Sequence, residues 1–345
     1  MKKSLIALAG ISFCGAAHGE VPDLLARCNF NCWILMKRSP IAIAFAAFAL
    51  FTACIAPVRA DDAALPVKPG KNFTYKEAEG KPEHMEMEIF FPPDHDPARN
   101  KVPGVILFHG GSWHGGHLEQ FRAACQYFAS RGLVAATANY RMWRPEEDAT
   151  LPDGESFKRI CITDAKSAIR WFKHHADEFG IDPQRIITGG GSAGGHIAIL
   201  ATTNSGLNDP RDPQDIDTSV VAYLLFNPAL HPTEDLKDAE VDAIKHVGSG
   251  FAPAFVVFGT EDTWKIGWGL FQKHLRALGN TTTELWLAEG QKHAFFRQKP
   301  WDIVTLAEAD RFLAQHGLLA GDPALPPPAT GEKLVRTTKS ESMLE

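Results

Sequence analysis

Apolar and polar residues alternate with a period of two over residues 84–91, where Met85, Met87 and Ile89 interleave with Glu86 and Glu88. That period sends successive side chains to opposite faces of an extended chain, so the segment predicts a half-buried antiparallel strand. A second extended stretch, 72–78, precedes it, and the turn Glu79-Gly80-Lys81-Pro82 predicts that the two form a hairpin. From residue 102 the pattern changes. The stretches 102–108, 132–140, 185–188, 220–226 and 254–258 are apolar or β-branched without alternation, as strands must be when both faces are covered. Residues 281–288 read as a last strand. Between these runs, 118–130, 157–179, 266–278 and 301–316 carry helical spacing, and Gly180 and Gly279 supply helix stops. Such alternation predicts an α/β fold: a mostly parallel, eight-stranded sheet with helices on both faces and an antiparallel N-terminal hairpin.

Composition adds a bound rather than a direction. The chain has 345 residues, 45% hydrophobic and 22% charged, with a formal net charge of −6. It carries no block of Lys and Arg, so no nucleic-acid partner is expected. The first 60 residues read as a targeting region. Lys2-Lys3 and a short apolar run resemble one export signal. Met36-Lys37-Arg38, the apolar run 41–55 and Val58-Arg59-Ala60 resemble a better one. We expect a signal peptide at 36–60, with Met36 as the start and Asp61 as the mature N-terminus. That makes the protein secreted or periplasmic. Lipidation through Cys54 is the weaker variant. The 41–55 run is about 15 residues, short of the roughly 20 that span a bilayer, so no stable membrane span is expected. Residues 61–320 form the expected folded domain. The Pro-rich stretch 321–345 reads as a disordered tail. Of six cysteines only Cys125 and Cys161 lie outside the targeting region. The predicted helices put them on opposite sides of the sheet, which argues against a disulfide.

The candidate chemistry centres on Gly190-Gly191-Ser192-Ala193-Gly194, set between the strand 185–188 and an Ile/Ala/Leu helical pattern. A strand that turns sharply into a helix exposes the serine at the apex. Glycines on either side prevent collisions across the turn. The plain alternative is a Gly-rich phosphate loop. A nucleophilic serine needs a base, and the base needs an orienting acid. Asp262 and His293 both follow predicted strands, where parallel sheets place ligands. Glu261 is the competing acid, and Asp262 also suits a helix cap. Ser192 is then nucleophile, His293 base and then acid, and Asp262 the orienting group. Gly110, Gly111 and Ser112, after the strand 102–108, and Ala193 are the expected oxyanion-hole residues. Trp113, Trp143 and Trp264 are candidate substrate contacts, since flat apolar faces stack on sugars or aromatic acyl groups. His109, His114 and His117 cluster, but no carboxylate or thiol at fixed spacing completes a metal site, so neither metal nor other cofactor is expected.

The order Ser, Asp, His and the motifs His109-Gly110-Gly111-Ser112-Trp113, Asn139-Tyr140-Arg141, Gly190–His196, Gly259-Thr260-Glu261-Asp262 and Gly290–Phe295 resemble the α/β-hydrolase superfamily. Within it they are similar to hormone-sensitive-lipase-like esterases and, more, to bacterial feruloyl and acetyl xylan esterases. The sequence departs from the lipase-like pattern at Ser112, where a third glycine is usual, and at Gly191, where an acidic residue often precedes the serine. The resemblance implies an α/β-hydrolase fold over residues 72–316 and serine ester hydrolysis. Residues 61–71 are too few for a helical cap, and 227–253 too short for a large lid. An open site suits an acylated carbohydrate or a small ester. The composite expectation is an exported carbohydrate esterase that removes acetyl or feruloyl groups from plant or algal polysaccharide. The alternatives are a general short-chain carboxylesterase or lipase-like enzyme, and a non-catalytic binding protein on the same scaffold.

Overall fold

In a computed structural model the described residues are 69–77, 85–143 and 151–337. The expected targeting region, 1–60, lies outside them. Among the described residues nine strands form one sheet: β1 (Lys71–Thr74), β2 (Glu86–Phe90), β3 (Val102–Phe108), β4 (Val134–Ala138), β5 (Ile181–Gly191), β6 (Ala222–Phe226), β7 (Ala254–Gly259), β8 (Thr283–Ala288) and β9 (Val335–Thr337). Their spatial order is β1-β2-β4-β3-β5-β6-β7-β8-β9. The pairs from β4 to β8 are parallel, while β1, β2 and β9 run antiparallel to their neighbours. The antiparallel pairing read from the Met/Glu alternation is therefore present, with Met87 and Ile89 buried, while the expected turn 79–82 lies outside the described residues.

Five long helices cover the sheet: α1 (Arg122–Ser130), α2 (Lys158–His174), α3 (Ala193–Thr203), α4 (Lys265–Ala277) and α5 (Trp301–Gln315). The continuous apolar run of β3 shows why both faces need cover. Ile106 and Phe108 pack with Ile169 and Phe172 of α2, Ile197 of α3 and Phe271 of α4. Val105 and Leu107 pack with Phe128 of α1 and Phe312 of α5. Burying each such side chain contributes about 1.5–3 kcal/mol, so a polar residue inside β3 would weaken the layer it faces. Cys161 belongs to the first layer and Cys125 to the second, and both are free thiols.

The stretch expected to be a disordered tail behaves differently. Residues 321–337 are ordered on the domain. β9 pairs with β8, and Leu325 and Leu334 are buried with α5. Arg131 also donates to the Gly321 carbonyl at 3.2 Å. The Pro-rich composition hid two isolated leucines that find a groove, and the sheet gains a ninth strand over the eight expected. The connection between β6 and β7 forms three short helical turns, Asp235–Lys237, Ala239–Val241 and Ala243–His246.

Candidate active site

Ser192 sits between the end of β5 and the start of α3 with φ 53° and ψ −119°. This is a left-handed φ that a serine holds only when its surroundings fix it. They do so through the backbone. Ser192 N–H donates to Phe226 O at 3.0 Å, and its carbonyl accepts from Ala229 N at 2.9 Å. The glycines around it mark close approach. A Cβ on Gly194 would lie 2.0 Å from Phe108 O, and one on Gly110 would lie 2.8 Å from Gly191 O. Gly191 itself is explained by Phe296, whose Cζ would be 2.6 Å from a Cβ there. An acidic side chain before the serine would have to displace the Phe296 ring.

The strand ends bring three sequence candidates together. His293 Nε2 lies 2.8 Å from Ser192 Oγ, and His293 Nδ1 lies 2.8 Å from Asp262 Oδ2. Asp262 is 1% exposed. Its other oxygen accepts from Trp264 N at 3.0 Å, so the carboxylate braces the start of α4 and faces the imidazole at once. Glu261 is exposed, and its contribution here is a backbone N–H to Gln291 O. With a proton on Nδ1 held by Asp262, Nε2 is free to accept the serine hydroxyl proton. Asn227 was not singled out from the sequence. It is fully buried with φ 44°, and its Oδ1 accepts from Ala294 N at 3.2 Å, fixing the loop that carries His293. The one sequence sign was an Asn-Pro pair directly after the strand 220–226.

The facing loop needs one correction. Gly110 N–H donates to Gln120 Oε1 at 2.5 Å, so this amide braces the loop and is not an anion donor. The amides of Gly111, Ser112 and Ala193 have no acceptor among the described residues. Gly111 and Ser112 adopt φ 131° and 54°. Tyr140 holds the base of the loop, its hydroxyl donating to His109 O at 2.9 Å.

A cleft of about 510 Å³ opens over Ser192 and His293, with Gly111, Ser112, Trp264 and Phe296 in its walls. A second groove of about 440 Å³, floored by Phe121, Phe226 and Leu306, lies beyond Phe296 and Arg297. Of the three tryptophans, Trp264 lines the cleft. Trp113 is 5% exposed and turned inward, so it offers no face to a substrate. Its position two residues beyond the glycines suggested a rim. The left-handed backbone at 112 and 113 turns it under the loop instead. Trp143 stacks on Phe157 at 5.1 Å and is not among the cleft residues. His109 is buried flat against Tyr140, at 4.4 Å between ring centres. His114 and His117 are exposed on the same loop. Among the described residues no group of three His, Cys, Asp or Glu is arranged to hold a metal.

Comparison with known proteins agrees with this arrangement. The BD-FAE family model matches residues 87–226. The probable carboxylic ester hydrolase LipM of Mycobacterium tuberculosis is 29% identical over 213 residues, covering 53% of this chain and 46% of that protein. The carboxylesterase NlhH of the same organism is 31% identical over 117 residues, covering 34% and 33%. The chain thus spans less than half the length of these curated relatives. Among solved structures, esterase 2 of Thermogutta terrifontis is 32% identical with a TM-score of 0.64, covering 74% of this chain and 98% of that one. The strand order, the turn that carries Ser192 and a likeness running the full length of a solved esterase make the chain a member of the hormone-sensitive-lipase-like esterases of the α/β-hydrolase superfamily.

Proposed function

We propose that the protein is a serine carboxylic ester hydrolase that accepts short acyl groups, with Ser192, His293 and Asp262 as its catalytic residues. The observation that carries this reading is the continuous chain Ser192–His293–Asp262, each link 2.8 Å, beside the Gly111, Ser112 and Ala193 amides, which have no acceptor among the described residues. His293 takes the Ser192 proton as Oγ attacks the ester carbonyl. The carbonyl oxygen becomes negative, and the Gly111, Ser112 and Ala193 N–H groups donate to it. Such donors are each worth on the order of 10²–10³ in rate. His293 then gives its proton to the departing alkoxide. A water attacks the acyl-serine by the same steps in reverse. Solved forms of the Thermogutta esterase carry propionate and butyrate, which supports a short acyl side.

On the alcohol side we favour an acylated plant or algal polysaccharide. Trp264 offers a flat face beside His293, with ring centres 6.1 Å apart, and the cleft is open. With the export signal, the natural setting is outside the cytoplasm, and N-terminal sequencing of secreted protein should begin at Asp61. The decisive assay is release of p-nitrophenol from acetyl and butyryl esters by wild type and Ser192→Ala. Loss of the nucleophile lowers kcat on the order of 10⁶-fold. Equal rates would remove the assignment. Acetate and ferulate release from xylan, set beside triglyceride hydrolysis, tests the substrate class. A preference for long-chain triglyceride refutes the polysaccharide.

A further inference from the structure

We propose that Lys158 is a positioning residue for the anion-binding loop: its buried ammonium, fixed by Asp235, seats the Trp113 ring and so keeps the Ser112 amide aimed at the cleft. This rests on the assignment of Gly111, Ser112 and Ala193 as oxyanion donors.

Lys158 begins α2 and is 6% exposed. Its Nζ lies 2.6 Å from Asp235 Oδ1 and 3.9 Å from the centre of the Trp113 ring. Asp235 is also buried, and its Oδ2 accepts from His231 N at 2.7 Å. Three distant segments meet here: the start of α2, the β6–β7 connection and the loop after β3. Trp113 Nε1 has no hydrogen-bond partner among the described residues. The ring is therefore held through its faces and edges, by Lys158, by His196 at 5.2 Å edge-on, and by Trp264 at 6.3 Å. A cation over an indole is at its strongest when both are out of water.

A buried Lys–Asp pair alone is an ordinary structural contact of little net value. The backbone beside this one makes the difference. Ser112 and Trp113 are consecutive non-glycine residues with φ 54° and 63°. Such a pair relaxes unless its surroundings over-determine it. The seated indole restrains it from the side-chain end, while Trp143 N donating to Trp113 O at 2.9 Å and Gly115 N donating to Gly111 O at 2.9 Å hold the backbone on either side, and the restrained segment carries the Ser112 amide. Trp264 packs against both Trp113 and His293, so the same cluster backs the base.

Four variants test this. Lys158→Met with Asp235→Asn removes both charges and leaves no orphan carboxylate. Trp113→Leu keeps the ion pair and removes the ring. Trp113→Phe keeps a ring, and Lys158→Arg keeps a cation. Each is titrated with paraoxon, which phosphorylates the related solved esterase, so that rates are counted per competent site. The expected result for the double variant and Trp113→Leu is a kcat lower by about tenfold to a hundredfold, with KM within about twofold, since the donor acts on the developing charge. The inhibition constant of a trifluoromethyl ketone, whose serine adduct bears the same negative oxygen, should rise by a matching factor. Trp113→Phe and Lys158→Arg should recover most of the loss. A purely structural role would leave kcat and the inhibition constant per titrated site at wild-type values, and that result overturns the proposal. If the charge variants fail to fold, the Leu and Phe variants of Trp113 decide between the two outcomes. An inactive wild type would instead overturn the esterase reading on which this inference stands.

Discussion

Replacing Gly194 by alanine puts a single methyl group between the nucleophile's helix and the strand that leads into the anion-binding loop. The added Cβ would stand 2.0 Å from Phe108 O and 2.6 Å from His109 O. Real Cβ atoms essentially never approach closer than 3.0 Å, so α3 and β3 must part by at least about 1 Å. Both contacts are backbone, and no rotamer can relieve them. Overpacking of this kind destabilises by about 1–3 kcal/mol. The same shift moves Ser192 away from the Gly111 and Ser112 amides, and a misplacement of about 1 Å lowers the rate about 100-fold. The assay pairs urea unfolding with kcat/KM for p-nitrophenyl acetate, normalised by paraoxon titration. Gly248→Ala serves as the control, because nothing lies within 4 Å of a Cβ there. Gly194→Ala within about threefold of wild type in rate, and unchanged in unfolding midpoint, would refute the packing argument and the loop's role with it.

Two further outcomes are expected. Phe296 separates the catalytic cleft from the apolar groove beside it, so Phe296→Ala should raise kcat/KM for hexanoyl over butyryl esters by about tenfold, given about 0.8 kcal/mol for each of the two added methylenes buried. An unchanged chain-length profile would show that the two spaces do not join. Burial pushes the His196 imidazole down to about 4, with the Asp235 carboxylate drawing it up and the Lys158 ammonium pushing it down. Between about pH 6.5 and 4 the unfolded chain binds a proton that the folded one refuses, so this stability is present above 6.5 and is lost as pH falls. Urea midpoints between pH 7 and 4.5 should decline less steeply in His196→Gln, by up to about 1.4 kcal/mol per pH unit, and parallel curves would contradict the burial argument.

Much of the molecule was legible in the chain because the signals were local. Period-two alternation and unbroken apolar runs gave the strands, since a strand's burial is written in its own residues. The turn at Ser192 was legible because only glycines tolerate its close approaches. Asp262 and His293 could be named because strand ends in a parallel sheet converge on one edge. Gly110 was misread as a donor, because its glycine suits both roles and Gln120, ten residues on, takes its amide. Trp113 was misplaced for a similar reason. An aromatic residue after a glycine loop has no periodicity to say which way it turns, and the cation that lies over its ring, Lys158, comes 45 positions later. Asn227 and the β9 strand had no pattern of their own at all. Asn227 matters only because β6 ends beside the His293 loop, and Val335–Thr337 becomes a strand only because β8 offers an unpaired edge. The sequence sets which segments can bury themselves and which residues have reactive chemistry. Partners far apart in the chain come from how the layers close, because a hydrogen-bond acceptor or a cation over a ring carries no local signature until the fold brings it near.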